Sequence, residues 1–369
     1  MKKIQERIEK TRKKFKEHDI DGLLVFIEEN RFYLSGFEGE DSQFDETAGI
    51  LAIGKEKLVL ATDPRFVVQA EKEAPLYELY CYKKGLASEI TKILDCAGIT
   101  KAGFESSRVT YEMYKKIKES MSSSKHGASL KPLTGIVESL REIKDEEEIK
   151  KISIALEIAE NGFKKVVNQF IPGISEEQGA WILEKTLREM GAEKLSFSTI
   201  TASGINAAKP HARPTDKLFC ENEPVLFDFG TLVERYCSDI TRTFFLGDDK
   251  LEFKKIFDIV KNAQDAGTNA IREGITGKEV DLAARKVIED AGYGKYFGHG
   301  LGHGVGMAVH EAPRLSPLSD TVLKEGMVVT VEPGIYIPSW GGIRLENMAV
   351  VRKDSAQVLN TTNPADFIS

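Results

Sequence analysis

Cysteine is scarce in this chain of 369 residues: Cys81, Cys96, Cys220 and Cys237 stand far apart and form no CxxC pair. Neither a disulfide framework nor a zinc knuckle is suggested by that spacing, and the four read as reduced filler. Long apolar runs are missing as well, because the longest, such as GLLVFI and PVLFDF, are far too short to span a bilayer. Nor is there an excess of positive charge. The formal net charge is −7, so no overall basic field exists to draw nucleic acid or an anionic membrane. The opening MKKIQERIEKTRKKFKEHDI lacks the apolar core of a signal peptide and reads as an amphipathic helix with Ile4, Ile8 and Phe15 facing inward. A cytoplasmic protein with neither nucleic acid nor membrane as partner is the expectation.

The length exceeds a usual single domain, and 41% hydrophobic with 30% charged residues is the balance of a globular protein. In the first third, DGLLVFI, YLSGF, GILAIG, KLVLAT and AGFES read as short strands, and PRFVVQAEKEA and ASEITKILDCAG as helices, an α/β pattern. SSSKHGASLKP is the best linker candidate. Domains are therefore expected at 1–124 and 135–369, with a linker at 125–134. In the second, helical periodicity runs from Lys144 to Phe170, with Asp145 to Glu148 in its first turn, and from Ser175 to Met190, where SEEQ resembles a weak capping box. Further helices at 251–272 and 277–291 lie between strand-like segments at 225–246 and 326–352, which predicts helices packed on an antiparallel sheet, an α+β arrangement.

Three segments carry chemistry. PVLFDFGTLVERYCSDITRTFFLG reads as a hairpin, and a turn centred near Val233 and Glu234 would set Asp228 and Asp239 opposite each other. Two carboxylates so placed repel, so a cation belongs between them, unless the register differs and each faces solvent. EGMVVTVEPGIYIPSWGGIRLENMAVV puts Val328, Thr330 and Glu332 on one strand face and Arg344, Glu346 and Met348 on another. Charges inside apolar strands are costly unless paired or metal-bound, so Glu332 and Glu346 are either metal ligands or partners of Arg344 in a buried salt bridge. GHGLGHGVGMAVHE holds His299, His303 and His310, half of the chain's six histidines. Two aspartates, two glutamates and a histidine suit two divalent ions of the manganese, cobalt or zinc kind. Glycines around His303 would let the backbone approach the ions. No GxxxxGK[ST] is present, GHGLGHG lacks the surroundings of a dinucleotide fingerprint, and HEAPR is not HExxH.

SGINAAKPHARP, LFDFG with YCSDITRTF, GHGLGHGVGMAVHEAPR, VEPGIYIP and GGIRLEN resemble, in order and spacing, the pita-bread metallopeptidases of the prolidase and aminopeptidase P branch. NRFYLSGF and TDPRFVVQA resemble the creatinase/prolidase-type α/β N-terminal domain of that branch. The resemblance implies a pita-bread catalytic domain with Asp228, Asp239, His303, Glu332 and Glu346 as ligands of a dinuclear centre, Asp239 and Glu346 bridging. It implies Glu332 and His310 as catalytic groups, the first moving a proton and the second stabilising the oxyanion. His211, His299 and Arg314 are implied as substrate-binding, and Arg344 as the residue that orients the carboxylates. Ala207, Phe66 and Asn347 depart from common family residues without removing a ligand, and His18 and His126 match nothing. Arg314 would meet a substrate's C-terminal carboxylate, which favours Xaa-Pro dipeptides as partners over longer peptides. The resemblance also implies a homodimer. An Xaa-Pro aminopeptidase is the alternative, and a methionine aminopeptidase or a binding module of the same fold is set aside by the extra N-terminal domain and the complete ligand set.

Overall fold

The computed structural model describes every residue except 42, 44, 45, 123–126, 249, 368 and 369. The chain divides into two compact units, Met1–Leu140 and Arg141–Ser369. Among the described residues no helix is long and apolar enough to cross a membrane.

The first unit begins with α1 (Lys2–Lys13), β1 (Gly22–Val25), α2 (Glu28–Ser35), β2 (Gly49–Gly54) and β3 (Leu58–Thr62). It continues with α3 (Val67–Glu73), β4 (Glu78–Cys81), α4 (Leu86–Ala97), β5 (Lys101–Glu105), α5 (Tyr111–Ser122) and β6 (Ser129–Leu133). Its sheet runs β4-β3-β2-β1-β5-β6, with β2 antiparallel to both neighbours and the remaining pairs parallel. Strands β1 and β2 are buried along their whole length, which explains their unbroken apolar sequences. Helix α4 packs Ile90, Ile93 and Leu94 onto that sheet. In the N-terminal segment Ile8 and Phe15 are buried, while Ile4 is only partly so.

Two expectations change here. YLSGF is not a strand: Tyr33 to Ser35 end helix α2, and Gly36 follows in the left-handed conformation (φ 82°) as its stop. The buried Tyr33, Leu34 and Phe37 have helical spacing, and the Glu105 carboxylate accepts from the N–H groups of Phe26 and Ile27 just ahead of the helix, satisfying donors that a strand would have needed to pair. Half of the expected linker is strand. Residues 129–133 form β6, paired parallel with β5, and the compact unit runs on to Leu140. Residues 123–126, His126 among them, lie outside the described residues.

The short α6 (Glu138–Arg141) leads to α7 (Glu146–Val166), α8 (Glu176–Glu189), β7 (Lys194–Leu195) and β8 (Ile200–Ser203). Both long helices start in capping boxes, Asp145 with Glu148 and Ser175 with Gln178; the second uses glutamine where the sequence had pointed to glutamate. Then come β9 (Glu223–Phe229), β10 (Thr231–Val233), β11 (Tyr236–Cys237), β12 (Ile240–Leu246), α9 (Leu251–Ala270) and α10 (Gly277–Asp290). The last third is β13 (Gly302–Gly304), β14 (Glu311–Leu315), β15 (Val328–Val331), β16 (Gly334–Ile337), β17 (Gly341–Arg344), β18 (Asn347–Val351) and β19 (Ala356–Val358). The strands form antiparallel sheets in the orders β11-β10-β7, β12-β9-β8, β14-β13-β15-β18-β19 and β16-β17.

Alternation along these strands separates a helix side from a site side. On β9, Phe229 stacks on Phe163 of α7 and Phe227 meets it edge-on, which sends Asp228 the other way. On β12, Phe244 meets Phe163 and Arg242 reaches Glu160 of α7, so Thr241 and Thr243 face the site. Val329 and Val331 of β15, with Ile343 and Leu345, join Phe257, Val260 and Ala284 of α9 and α10 in one core. Their alternates are Thr330, Glu332, Arg344 and Glu346.

Candidate active site

All ten residues singled out in the sequence line a single cavity of about 610 Å³: His211, Asp228, Asp239, His299, His303, His310, Arg314, Glu332, Arg344 and Glu346. Phe197, Ser198, Ile200 and Ser316 also line it; nothing in their sequence context marked them. His18, in the first unit, is half-exposed.

The hairpin register differs from the expected one. Its tip is Glu234 and Arg235, both with positive φ (47° and 68°), as a two-residue primed turn requires. The partner of Asp228 is therefore Thr241, and Asp239 sits two residues before it, a diagonal neighbour on the same face. Neither tip residue is a glycine or asparagine, so the turn gave little local signal. A cation stands beside Asp228 but does not bond Asp239. Arg344 Nη2 donates to Asp228 Oδ2 at 2.6 Å, and the guanidinium also donates to Tyr336 Oη (2.8 Å), Thr241 Oγ1 (3.0 Å) and the Pro210 carbonyl (3.1 Å). Glu332 and Glu346 are not its hydrogen-bonded partners. Thr241 Oγ1 donates to Glu346 Oε2 at 2.7 Å, and Thr330 Oγ1 donates to Glu332 Oε1 at 3.2 Å.

Asp239, His303 and Glu346 are buried, and one donor atom from each lies within 4.8 Å of the others. His303 Nε2 is 3.6 Å from Asp239 Oδ2 and 3.4 Å from Glu332 Oε1. Its Nδ1 faces the Gly304 carbonyl at 3.1 Å, so Nδ1 carries the proton and Nε2 presents a lone pair to the carboxylates. Burial pushes the His303 pKa down to about 3. Burial, then the crowding of Glu346, Asp228 and Glu332, pushes Asp239 well above the usual carboxylate range. Glu346 is raised well above its ordinary value by burial and by Glu332. Burial carries Glu332 to about 7, against the opposing pull of Arg344. Asp228 Oδ1 is buried with no hydrogen-bond partner. Acceptors that face one another in a buried cleft fit divalent cations bound by oxygen and imidazole nitrogen.

The glycines flanking His303 are required by strand packing. A Cβ on Gly302 would lie 2.1 Å from the Thr330 carbonyl oxygen of β15, and one on Gly304 would lie 2.1 Å from the Ala312 carbonyl oxygen of β14. His303 thus stands on a strand squeezed between two others, its backbone N–H on Thr330 Oγ1.

His299 is held differently. Its Nδ1 donates to the Gly300 carbonyl (2.7 Å), and its Nε2 accepts from Tyr336 Oη (2.9 Å), since Arg344 already donates to that hydroxyl. Burial lowers its pKa to about 4. With both nitrogens engaged, it offers the cavity its ring. Arg285 of α10, paired with Asp281, fixes the loop by donating to the carbonyls of Phe297 and His299. His310 is exposed, its ring edge-on to His303 with centroids 4.4 Å apart. His211 lies at the exposed rim. Arg314 of β14 is the direct cross-strand partner of His303.

An α/β domain followed by helices outside antiparallel sheets, with carboxylates and histidine converging on the inner side, is the pita-bread architecture of metallopeptidases. Residues 150–353 match metallopeptidase family M24, and residues 7–143 match the creatinase/prolidase N-terminal domain. The chain belongs to metallopeptidase family M24. It is 36% identical to an Xaa-Pro dipeptidase of Pyrococcus horikoshii, over 97% of this chain and 98% of the relative. Among solved structures it is similar to an Xaa-Pro dipeptidase from Bacillus anthracis (TM-score 0.91, 40% identity, 98% of each chain covered). It is also similar to an X-Pro aminopeptidase from Thermotoga maritima (TM-score 0.88, 35% identity, 98% of this chain and 99% of the other). Membership makes the chain a hydrolase of the metal-dependent peptidase class, and the buried Asp239, His303 and Glu346 can hold a metal ion.

Proposed function

We propose that this protein is an Xaa-Pro dipeptidase with two divalent ions, manganese or cobalt before zinc, held by Asp228, Asp239, His303, Glu332 and Glu346. Asp239 and Glu346 would serve both ions, as the resemblance to the family implies. The single observation that carries the dipeptide reading is Arg314: it lines the same cavity as these donors, one cross-strand position from His303, where a guanidinium meets a free C-terminal carboxylate. The names of relatives matched over nearly their full length support the same reading.

An Xaa-Pro bond is a tertiary amide with no N–H to recognise, and its leaving group is a secondary amine that must be protonated. When bound, divalent ions supply Lewis-acid polarisation of the scissile carbonyl and acidify a water. Glu332, which lines the cavity beside His303, takes the proton of the attacking water and delivers it to the proline nitrogen as general base and then acid. His310 donates toward the developing oxyanion. The His299 ring packs against the prolyl ring, and His211 closes the rim. Arg344 holds Asp228 in place and, through Tyr336, holds His299. The reading also carries a homodimer working in the cytoplasm.

The test uses protein stripped of metal and then given manganese or cobalt, assayed on Leu-Pro, Leu-Pro-amide and Leu-Pro-Pro. Metal-dependent release of proline from Leu-Pro, with a KM that rises at least tenfold in Arg314→Gln for Leu-Pro but not for the amide, is the expected result. Preference for Leu-Pro-Pro would assign an Xaa-Pro aminopeptidase, the reading to which the Thermotoga maritima neighbour lends support. Cleavage of none of the three would reject both.

A further inference from the structure

In the segment between His303 and His310, Val305 and Met307 are buried, and the residues around them are mostly small. Gly304, Gly306, Ala308 and Val309 lie in it, and the pairing of β13 with β14 shifts register between His303 and Gly304. What lies beneath it is the side chain of Glu311. A Cβ on Gly306 would sit 2.5 Å from Glu311 Oε2, so the carboxylate fills the space under the loop. It accepts from the Ala308 N–H at 3.0 Å. Its other partners come from far along the chain. Arg141 Nη2 donates to Oε1, and Lys144 Nζ donates to Oε2 at 3.0 Å. All three side chains are buried, exposed by only 5%, 2% and 8% for Arg141, Lys144 and Glu311. Lys144 is anchored in turn, because its N–H bonds the Gly326 carbonyl.

Three charges at that depth have a heavy desolvation cost, and apolar residues of similar volume would fill the space as well or better. Their arrangement fits a requirement for direction. A carboxylate with three donors can be satisfied in one orientation only, and it pulls on the residue that directly follows His310. We propose that Glu311, anchored by Arg141 and Lys144, is a positioning residue that sets where His310 stands over the site. Glu311 is not among the residues that line the cavity, so it acts through its neighbour. This rests on the reading of His310 as the oxyanion-side group.

The experiment is a double-mutant cycle on metal-saturated full-length protein with Leu-Pro as substrate, recording kcat, KM, bound metal and the unfolding midpoint. Glu311→Gln keeps an acceptor for Ala308 but loses both ion pairs. Lys144→Gln removes one pair and leaves the other. Since a misplacement of about 1 Å costs on the order of 10²-fold, each single change is expected to lower kcat/KM about ten- to hundredfold with metal stoichiometry unchanged. In a His310→Ala background the same changes are expected to cost less than about threefold, a coupling that a purely structural role would not produce. Equal losses with and without His310, or wild-type kcat/KM in both single variants, would overturn the positioning role. Loss of the folded state in both variants would assign the three charges to folding and overturn it too. Wild-type activity in His310→Ala alone would reject the reading of His310, and the proposal with it.

Discussion

Replacing Arg344 probes the site at the point where one side chain serves most of it. In Arg344→Lys a single ammonium can keep the bond to Asp228 but cannot also reach Tyr336, Thr241 and Pro210, which the planar guanidinium bonds at 2.8, 3.0 and 3.1 Å. Three lost hydrogen bonds at about 1 kcal/mol each amount to roughly 3 kcal/mol. If that difference falls on the transition state, at about 1.4 kcal/mol per decade, kcat/KM drops on the order of 10²-fold. Arg344→Met also strips Asp228 of its cation, leaving a carboxylate beside three others, and should cost a further decade or more. Part of either loss should be weaker metal binding, since supporting partners of ligands are typically worth 10- to 100-fold in affinity or activity. Steady-state kinetics on Leu-Pro at saturating manganese, with calorimetric metal titration, separates the two. Arg344→Lys within threefold of wild type in both measurements would show that the guanidinium fork is not needed, and the argument from its four bonds would be wrong.

Glu332→Gln, compared with wild type at equal bound-metal stoichiometry, is expected to lower kcat by 10²- to 10⁴-fold, the span of a lost proton carrier; a kcat within threefold of wild type would refute the role. The metal-free protein should lose stability as pH rises. Glu332 is near 7 folded against about 4.5 unfolded, so between those values the native state holds more protons, and the stability present below about 4.5 is gone above about 7. Metal affinity should rise over the same window as cation displaces proton, and denaturant unfolding at pH 5 and 8, with and without manganese, checks both signs. In the first unit the Glu89 carboxylate accepts from the N–H groups of Lys84 and Lys83 and from Tyr80, and is held down to about 2. Glu89→Gln should therefore destabilise by up to about 3 kcal/mol above pH 4.5, with the difference shrinking as pH falls toward 2; a constant difference would point to packing instead.

The charged members of the site were legible in the sequence because a carboxylate in an apolar strand is expensive and must have a reason. Asp228, Glu332 and Glu346 announced themselves in that way. Thr241, Thr330 and Tyr336 did not, although they aim the carboxylates and His299, because a hydroxyl among β-branched and aromatic residues is ordinary strand composition. The register was misjudged by one residue on each arm since the turn at Glu234 and Arg235 has no Gly or Asn to mark its centre. YLSGF was misread because its helix start is satisfied by Glu105, far away in sequence, and no local pattern carries that bond. The same distance hid Arg141 and Lys144 beside Glu311. Short motifs report what the chain does locally; the supporting bonds are long-range and appear only once it is folded.

The five acidic and histidine donors stand on or beside β9, β12, β13, β15 and β18, elements of two separate sheets. On the proposed reading, a cation shared by them would be a clasp between those sheets as well as an instrument of hydrolysis, adding to the bonds from Thr241 to Glu346 and from the Asp239 N–H to Met348 that already join them. Metal supply would then set the stability of the protein along with its rate.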